Sequence, residues 1–149
     1  MQGQPQLQPG RLFDVVHIDA PAKETSQKNI GYPMMDDAEI LALPIELVQK
    51  KGYCFYWTIN SKDYLAEQFF AAHGYKKVDT IGWLKLSSKT GKESMSSPGC
   101  YFRHTMEFCH VGIKGDFKSV SAISKLRTHS NFICGPRREG SRSQQLSTS

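Results

Sequence analysis

The chain has 149 residues, of which 39% are hydrophobic and 11% aromatic, a composition that supports one folded domain and excludes general disorder. Its formal net charge of +5 permits contact with nucleic acid without requiring it. No apolar run approaches the roughly 18–20 residues that a membrane-spanning helix needs, and the N-terminal stretch lacks the apolar core of a signal peptide.

The first part of the chain predicts an arm, a strand and a loop. Residues 1–10 are polar and rich in Gln and Pro, so we expect a disordered arm before a domain at 11–139, and a second disordered segment at 140–149. The β-branched run at 12–18 predicts a buried strand. A loop punctuated by proline and glycine follows, and Asp36 or Asp37 is a suitable N-cap for the next helix.

The middle of the chain alternates strands and helices. The aromatic run at 53–59 predicts a central strand, and residues 62–73 predict a helix whose core stripe is Leu65, Phe69 and Ala72. Three further strands are expected at 76–86, with Val78, Ile81 and Trp83 in the core, at 107–115 and at 131–135. This order indicates an α/β domain with a largely parallel sheet, in which ligands bind beyond the carboxyl ends of the strands.

The four cysteines are spaced widely, without a C-x-x-C pair. Three of them lie inside apolar runs, so we expect reduced and mostly buried thiols, as in an intracellular protein. A zinc site is the weaker alternative because the paired ligand spacing is missing. The four are Cys54, Cys100, Cys109 and Cys134.

Five segments occur in an order that resembles a known family: "DAPA", "GYPMMDDAEILALPI", "GYCFYWTINSKDYLAEQFFAAHGYKKVDTIGWLK", "YFRHTMEFCHVGIKG" and "GPRREGSR". They resemble the eukaryotic N6-adenine methyltransferases, which include both subunits of the mRNA N6-adenosine methyltransferase and related ciliate DNA methyltransferase subunits. The resemblance implies a Rossmann-like fold, S-adenosylmethionine as methyl donor, and an Asp-Pro-Pro-Trp tetrad at a strand end.

The tetrad of this family has a chemical purpose that can be compared with the present residues. The Asp and the next carbonyl accept hydrogen bonds from the adenine amino group, and the aromatic residue stacks on the extruded base. This chain has Asp19, Ala20, Pro21 and Ala22 at these positions. Losing the stacked ring costs roughly 1–3 kcal/mol. We therefore interpret the motif as degenerate and expect no intact catalytic site; a turn-forming role is the alternative for Asp19.

The family pattern continues beyond the "RRE-x-SR" segment into residues that contact the ribose and carboxylate of the cofactor. Here the sequence continues with "SQQLSTS" instead. The resemblance therefore leads us to expect a C-terminally truncated or degenerate fold that binds no S-adenosylmethionine itself, with the cofactor used by a catalytic partner.

Two surfaces follow from the resemblance. Nucleic-acid contacts are predicted at Arg103, His104, Lys114, Arg137, Arg138 and Arg142, with a solvated basic face as the alternative, and with an Arg103–Glu107 ion pair as the alternative for Arg103. Pairing with a paralogue is predicted through the long loop at 86–102 and the helix at 62–73. The residues named for it are Phe69, Phe70, Tyr101 and Phe102.

The leading hypothesis is a non-catalytic subunit of an N6-adenine methyltransferase complex. It would stabilise a catalytic paralogue in a heterodimer or larger complex, help to bind DNA or RNA, and reside in the nucleus. One alternative is a weakly active methyltransferase that uses Asp19 and the Ala20 carbonyl. The other is a free-standing nucleic-acid-binding domain that reuses the fold.

Overall fold

The computed structural model describes residues 12–23, 33–93, 101–115 and 128–136. The N-terminal arm and the C-terminal segment lie outside these residues, as do Cys100 and the predicted nucleic-acid contacts Arg137, Arg138 and Arg142. Within the described ranges, no helix has the length and apolarity needed to cross a membrane.

One five-stranded sheet organises the described residues, in the order β1-β2-β4-β3-β5. The β1–β2 and β3–β5 pairs are parallel, whereas β4 is antiparallel to both of its neighbours. Four of the five strands therefore point the same way, which confirms the predicted mostly parallel α/β sheet of a Rossmann-like fold. The strands are β1 (Val15–Ile18), β2 (Gly52–Thr58), β3 (Lys76–Leu86), β4 (Met106–Lys114) and β5 (Phe132–Pro136).

The reversed direction of β4 decides which chain segments meet. We call the edge at which β1, β2, β3 and β5 end the carboxyl edge. Because Leu84 near the end of β3 pairs with Met106 at the start of β4, β4 begins at this same edge. Lys114 at its other end pairs with Gly52, the first residue of β2, and so lies at the opposite edge.

The described residues contain two helices, α1 (Asp37–Leu41) and α2 (Asp63–His73). The second packs against β2 and β3 of the sheet, and the first packs against the second. The first begins after Asp36, whose backbone N–H donates to the Glu39 carboxylate at 2.9 Å. The second ends at Gly74, which has the left-handed φ of 74° that a helix C-terminus favours. Short 3₁₀ turns at Ile45–Leu47 and Asn60–Lys62 precede β2 and α2.

The core lies between these helices and one face of the sheet. Leu65 and Phe69 of α2 are fully buried, and the Tyr56 ring of β2 lies 5.3 Å from the Phe69 ring. Burying each such side chain contributes about 1.5–3 kcal/mol to stability. The core residues are Ile18, Ile40, Ile45, Cys54, Tyr56, Leu65, Ala66, Phe69, Phe70 and Tyr75.

The structure corrects the prediction that Phe69 and Phe70 face a partner. Their exposed fractions are 0% and 2%, so both rings belong to the core of this chain. A helix on a sheet buries a stripe at least about 100° wide, and neighbouring residues lie 100° apart, so both fit within it. The same stripe includes Ala66 and leaves Ala72 exposed, contrary to the predicted core position of Ala72.

A second correction concerns β3. The sequence predicts Val78 in the core, whereas its side chain is exposed. The register between β3 and β4 shifts between Lys77 and Asp79, so Val78 is the extra residue of a β-bulge. A bulge disturbs the strict alternation of faces on which the prediction rested.

Candidate functional site

The turn at residues 19–22 leaves the carboxyl end of β1. Asp19 is exposed, while Ala20 and Ala22 pack against the core. The Ala22 backbone N–H donates to the Ala20 carbonyl at 2.8 Å, which closes a three-residue turn around Pro21. Proline suits the centre of such a turn because its ring fixes φ.

A bridge to Met35 holds this turn in place. The Met35 N–H donates to the Pro21 carbonyl at 2.9 Å, and the Lys23 N–H donates to the Met35 carbonyl at 3.0 Å. The methyl group of Ala22 is thus part of a packed, hydrogen-bonded segment that leads into α1. No pattern within a single segment predicts this bridge, because the two residues that it joins are 13 positions apart in the sequence.

The turn offers hydrogen-bond acceptors without a stacking surface. The exposed Asp19 carboxylate can accept from an amino group, and a carbonyl has two lone pairs, so the Ala20 oxygen retains one after bonding Ala22. Position 22 carries only a methyl group, which packs on the core. This arrangement can hold an amino group and cannot clamp a base ring at position 22.

A second group of polar side chains lies where β2 leads into α2. The Lys62 ammonium is 2.8 Å from the Asp37 carboxylate, and the Tyr64 hydroxyl donates to the same carboxylate at 2.6 Å. The hydrogen bond from Lys62 is the main reason why the pKa of Asp37 lies below its usual value, and the bond from Tyr64 adds to it. In return, the bond to Asp37 raises the pKa of Lys62. The pair fixes the start of α1 to the start of α2.

Glu107 near the start of β4 has a partner that the sequence analysis missed. Its carboxylate is 2.5 Å from the ammonium group of Lys85, whose side chain is only 10% exposed. Lys85 follows Ile81 and Trp83 at two-residue spacing along β3, so a lysine there continues a strand face of apolar residues. A lysine on an otherwise apolar strand face was the sequence signal that could have identified Lys85 as a shielded residue in need of an acidic partner. The sequence alternatives for this region, nucleic-acid contact or an Arg103–Glu107 pair, did not include this contact.

The three predicted nucleic-acid residues that the structure describes do not come together as one surface. Arg103 and His104 are exposed and precede β4 at the carboxyl edge. Lys114 lies at the other end of this nine-residue strand, about 27 Å away at 3.4 Å per residue. Its ammonium group is 3.9 Å from the Glu46 carboxylate and 4.7 Å from the centre of the Tyr75 ring. Lys114 is therefore separate from the surface that Arg103 and His104 form.

At the carboxyl edge of the described residues, two lysines are not available to bind S-adenosylmethionine. The amino-acid end of that cofactor needs a cation for its carboxylate and an anion for its ammonium group. The ammonium groups of these two lysines are already paired, Lys62 with Asp37 and Lys85 with Glu107. Over the described ranges, no three His, Cys, Asp or Glu side chains are placed to hold a metal ion.

A sequence profile comparison decides the family. The MT-A70 profile matches residues 13–147, which is nearly the whole chain and includes the turn at 19–22 and the carboxyl edge. The chain belongs to the MT-A70 family. Membership confirms the resemblance to the eukaryotic N6-adenine methyltransferases, and it agrees with the Rossmann-like α/β sheet described above.

Individual MT-A70 relatives are similar at a moderate level. An N(6)-adenosine-methyltransferase MT-A70-like protein of Arabidopsis thaliana is 30% identical over 104 residues, which cover 70% of this chain and 15% of the relative. The catalytic subunit of N(6)-adenosine-methyltransferase from Homo sapiens is 29% identical over 104 residues, covering 70% and 18%. The MT-A70-like protein of Drosophila melanogaster is 29% identical, covering 70% and 17%. The chain thus spans less than a fifth of the length of these relatives.

Proposed function

We propose that this chain is a non-catalytic, methyltransferase-like subunit of an N6-adenine methyltransferase complex. In this role it stabilises an MT-A70 paralogue that carries a complete Asp-Pro-Pro-Trp tetrad and that uses S-adenosylmethionine. It also contributes surface for DNA or RNA, and it works in the nucleus with that partner. The relatives support the class of reaction through their names as N(6)-adenosine-methyltransferases.

The observation that carries this proposal is the packed turn at residues 19–22. Ala22 occupies the position of the stacking aromatic residue, and its methyl group lies against the core while its backbone segment is bridged to Met35. A base held only by Asp19 and the Ala20 carbonyl would lack a stacking contact of roughly 1–3 kcal/mol. The ion pairs of Lys62 and Lys85 also favour a supporting role, since neither ammonium group is left to bind the cofactor carboxylate.

One observation favours the alternative of a weakly active enzyme. Asp19 is exposed at the carboxyl end of a strand, which is where ligands bind in open α/β sheets. The carbonyl of Ala20 retains a lone pair beside it. In this reading, the Asp19 carboxylate and the Ala20 oxygen orient the adenine amino group without help from a stacked ring.

A methyl-transfer assay separates the two roles. Radiolabelled S-adenosylmethionine and adenine-containing oligonucleotides are incubated with this chain, with the catalytic paralogue, and with both together. We expect transfer by the mixture to exceed transfer by the paralogue alone, and we expect Asp19→Ala to leave the mixture unchanged. Transfer by this chain alone that disappears in Asp19→Ala would contradict the proposal and establish the alternative.

Size-exclusion chromatography with light scattering tests complex formation independently of methyl transfer. The chain and the paralogue are run separately and mixed, and a shared peak is expected. If the two always elute apart while the chain binds oligonucleotides, the third hypothesis of a free-standing nucleic-acid-binding domain replaces the proposal.

A further inference from the structure

Two adjacent aromatic side chains are almost completely exposed at the carboxyl edge. The exposed fractions of Tyr101 and Phe102 are 93% and 81%, higher than those of the other large hydrophobic side chains found exposed in the described residues. Large rings are normally buried, so an exposed pair is an informative feature of a surface. Both precede β4, on the same edge of the sheet as the turn at residues 19–22.

Basic residues follow these rings along the chain and stand on the neighbouring hairpin. Arg103 and His104 follow directly and are exposed. The neighbouring strand β3 ends in a tight hairpin, in which the Ser87 N–H donates to the Lys92 carbonyl at 2.8 Å, and this hairpin presents the exposed Lys89 and Lys92.

The segments that carry the hairpin and the aromatic pair are hydrogen-bonded to each other. The Lys85 N–H donates to the Thr105 carbonyl at 3.0 Å, which keeps β3 next to the chain that enters β4. The acidic residues in this described region are Glu93 and Glu107, and Glu107 is already paired with Lys85, against the three further cations Lys89, Lys92 and Arg103. We name residues 87–92 together with residues 101–104 the rim.

We propose that Tyr101 and Phe102 form a stacking platform for unpaired nucleobases, with the rim cations holding the adjoining phosphates. The inference rests on the proposed nucleic-acid role of the chain. It assigns that role a binding site on the surface and a mode of binding, base stacking. Aromatic faces stack on any base, and cations along the same groove attract the backbone.

A protein partner, which the sequence analysis predicted for these two rings, fits this composition less well. The cores of protein–protein interfaces are depleted of lysine, whereas Lys89 and Lys92 stand on the neighbouring hairpin. Charge complementarity therefore favours a polyanion. The platform precedes β4, and β2 separates β4 from β1, whose turn carries Asp19. In the complex it holds nucleotides that flank the adenine bound by the catalytic paralogue.

The test measures binding of the full chain to fluorescein-labelled oligonucleotides by fluorescence anisotropy. The probes are a single-stranded DNA, a single-stranded RNA of the same sequence, and the corresponding DNA duplex. Tyr101→Ala and Phe102→Ala should each weaken single-strand binding by about five- to hundredfold and affect duplex binding less, because duplex bases are already stacked. Tyr101→Phe should retain affinity, while Tyr101→Leu, which is apolar without a ring, should lose it.

A salt titration separates stacking from charge. Arg103→Ala should make the dependence of log affinity on log salt less steep by about 0.7 for single strands. The two ring variants should leave that slope unchanged. Leu47→Ala is the control, because Leu47 is a 75% exposed apolar side chain that precedes β2 at the opposite edge of the sheet.

Each outcome has a distinct meaning. If the wild-type chain binds single strands and both ring variants bind equally well, the platform is wrong and the nucleic-acid role stands. If the ring variants keep nucleic-acid affinity but lose co-elution with the paralogue, the rings are a protein interface instead. If the wild-type chain binds no probe, alone or with the paralogue, both the platform and the nucleic-acid role are wrong.

Discussion

The imidazole of His73 lies 2.6 Å from the Glu46 carboxylate through Nδ1, while its Nε2 lies 2.8 Å from the backbone oxygen of Leu41. One buried side chain at the end of α2 thus connects α1 and the 3₁₀ turn before β2. The ring also lies 4.4 Å from that of Phe69. The contact closes the core at the edge opposite the turn at residues 19–22.

This contact makes stability depend on pH. The hydrogen bond with His73 is the main cause that holds the pKa of Glu46 below its usual value of 4.5. A carboxyl whose folded pKa is lowered contributes stability above the unfolded value, and that contribution is lost as the pH falls through the folded pKa. We therefore expect the advantage of the wild type over Glu46→Gln in urea unfolding to shrink below about pH 4.5. Two curves that stay parallel from neutral pH into this range would contradict the assignment.

The burial of Phe69 and Phe70 predicts loss of stability rather than loss of a partner. Phe69→Ala should lower the free energy of unfolding by about 3–5 kcal/mol, because it opens a cavity in the core. Phe70→Asp places a carboxylate at a buried position and should leave the chain unfolded. Circular dichroism during urea titration measures both. Gln68→Ala, on the exposed face of α2, is the control and should change little.

A glycine at the start of β2 is required by its geometry. Gly52 has a φ of 147°, and a Cβ there would overlap the carbonyl oxygen of Asp14. Gly52→Ala should therefore cost at least about 2 kcal/mol, combining backbone strain with a clash. Gly135→Ala in β5 is the matched control, since a Cβ there meets nothing within 4 Å. Equal thermal midpoints for the two variants would show that the Asp14 carbonyl does not exclude a side chain at position 52.

The three described cysteines should differ in reactivity. Burial raises the pKa of the Cys54 thiol to about 12 and that of Cys109 to about 11, so neither forms a thiolate at neutral pH. Cys134 is free and exposed on β5, while Cys54 and Cys109 are buried, as the expectation of mostly buried thiols allows. In a Cys100→Ser background, one thiol should react with a disulfide reagent in the native chain and three in denaturant. Fast reaction of more than one native thiol would contradict the burial of Cys54 and Cys109.

Much of the fold could be predicted because its signals are local. The aromatic run of β2 is continuous, and α2 begins and ends where the sequence indicates, with Gly74 in the left-handed conformation. The misses are non-local. Whether Phe70 faces a sheet or a partner depends on how α2 lies on β2, and the exposure of Val78 depends on a bulge against β4. Neither is encoded in the periodicity of a single segment.

The candidate site shows the same division. The position of Asp19 after a strand is readable from the sequence, since it follows a β-branched run. The bridge from Ala22 to Met35 and the ion pair of Lys85 with Glu107 both require the register of separate segments. A resemblance to a family locates the motif, whereas the contacts around it depend on the register of this particular sheet.

The direction of β4 has a consequence for how such a chain can diversify. Because β3 ends and β4 starts at the carboxyl edge, both ends of the connection between them lie at that edge while the two anchoring strands stay paired. The entropy of closing a loop grows only logarithmically, and doubling its length costs about 0.6 kcal/mol. Insertions and deletions between residues 87 and 105 can thus alter which nucleic acid the chain binds while the sheet register stays intact. Sequence changes in this connection therefore cost little stability, whereas changes in the paired strands would disturb the sheet.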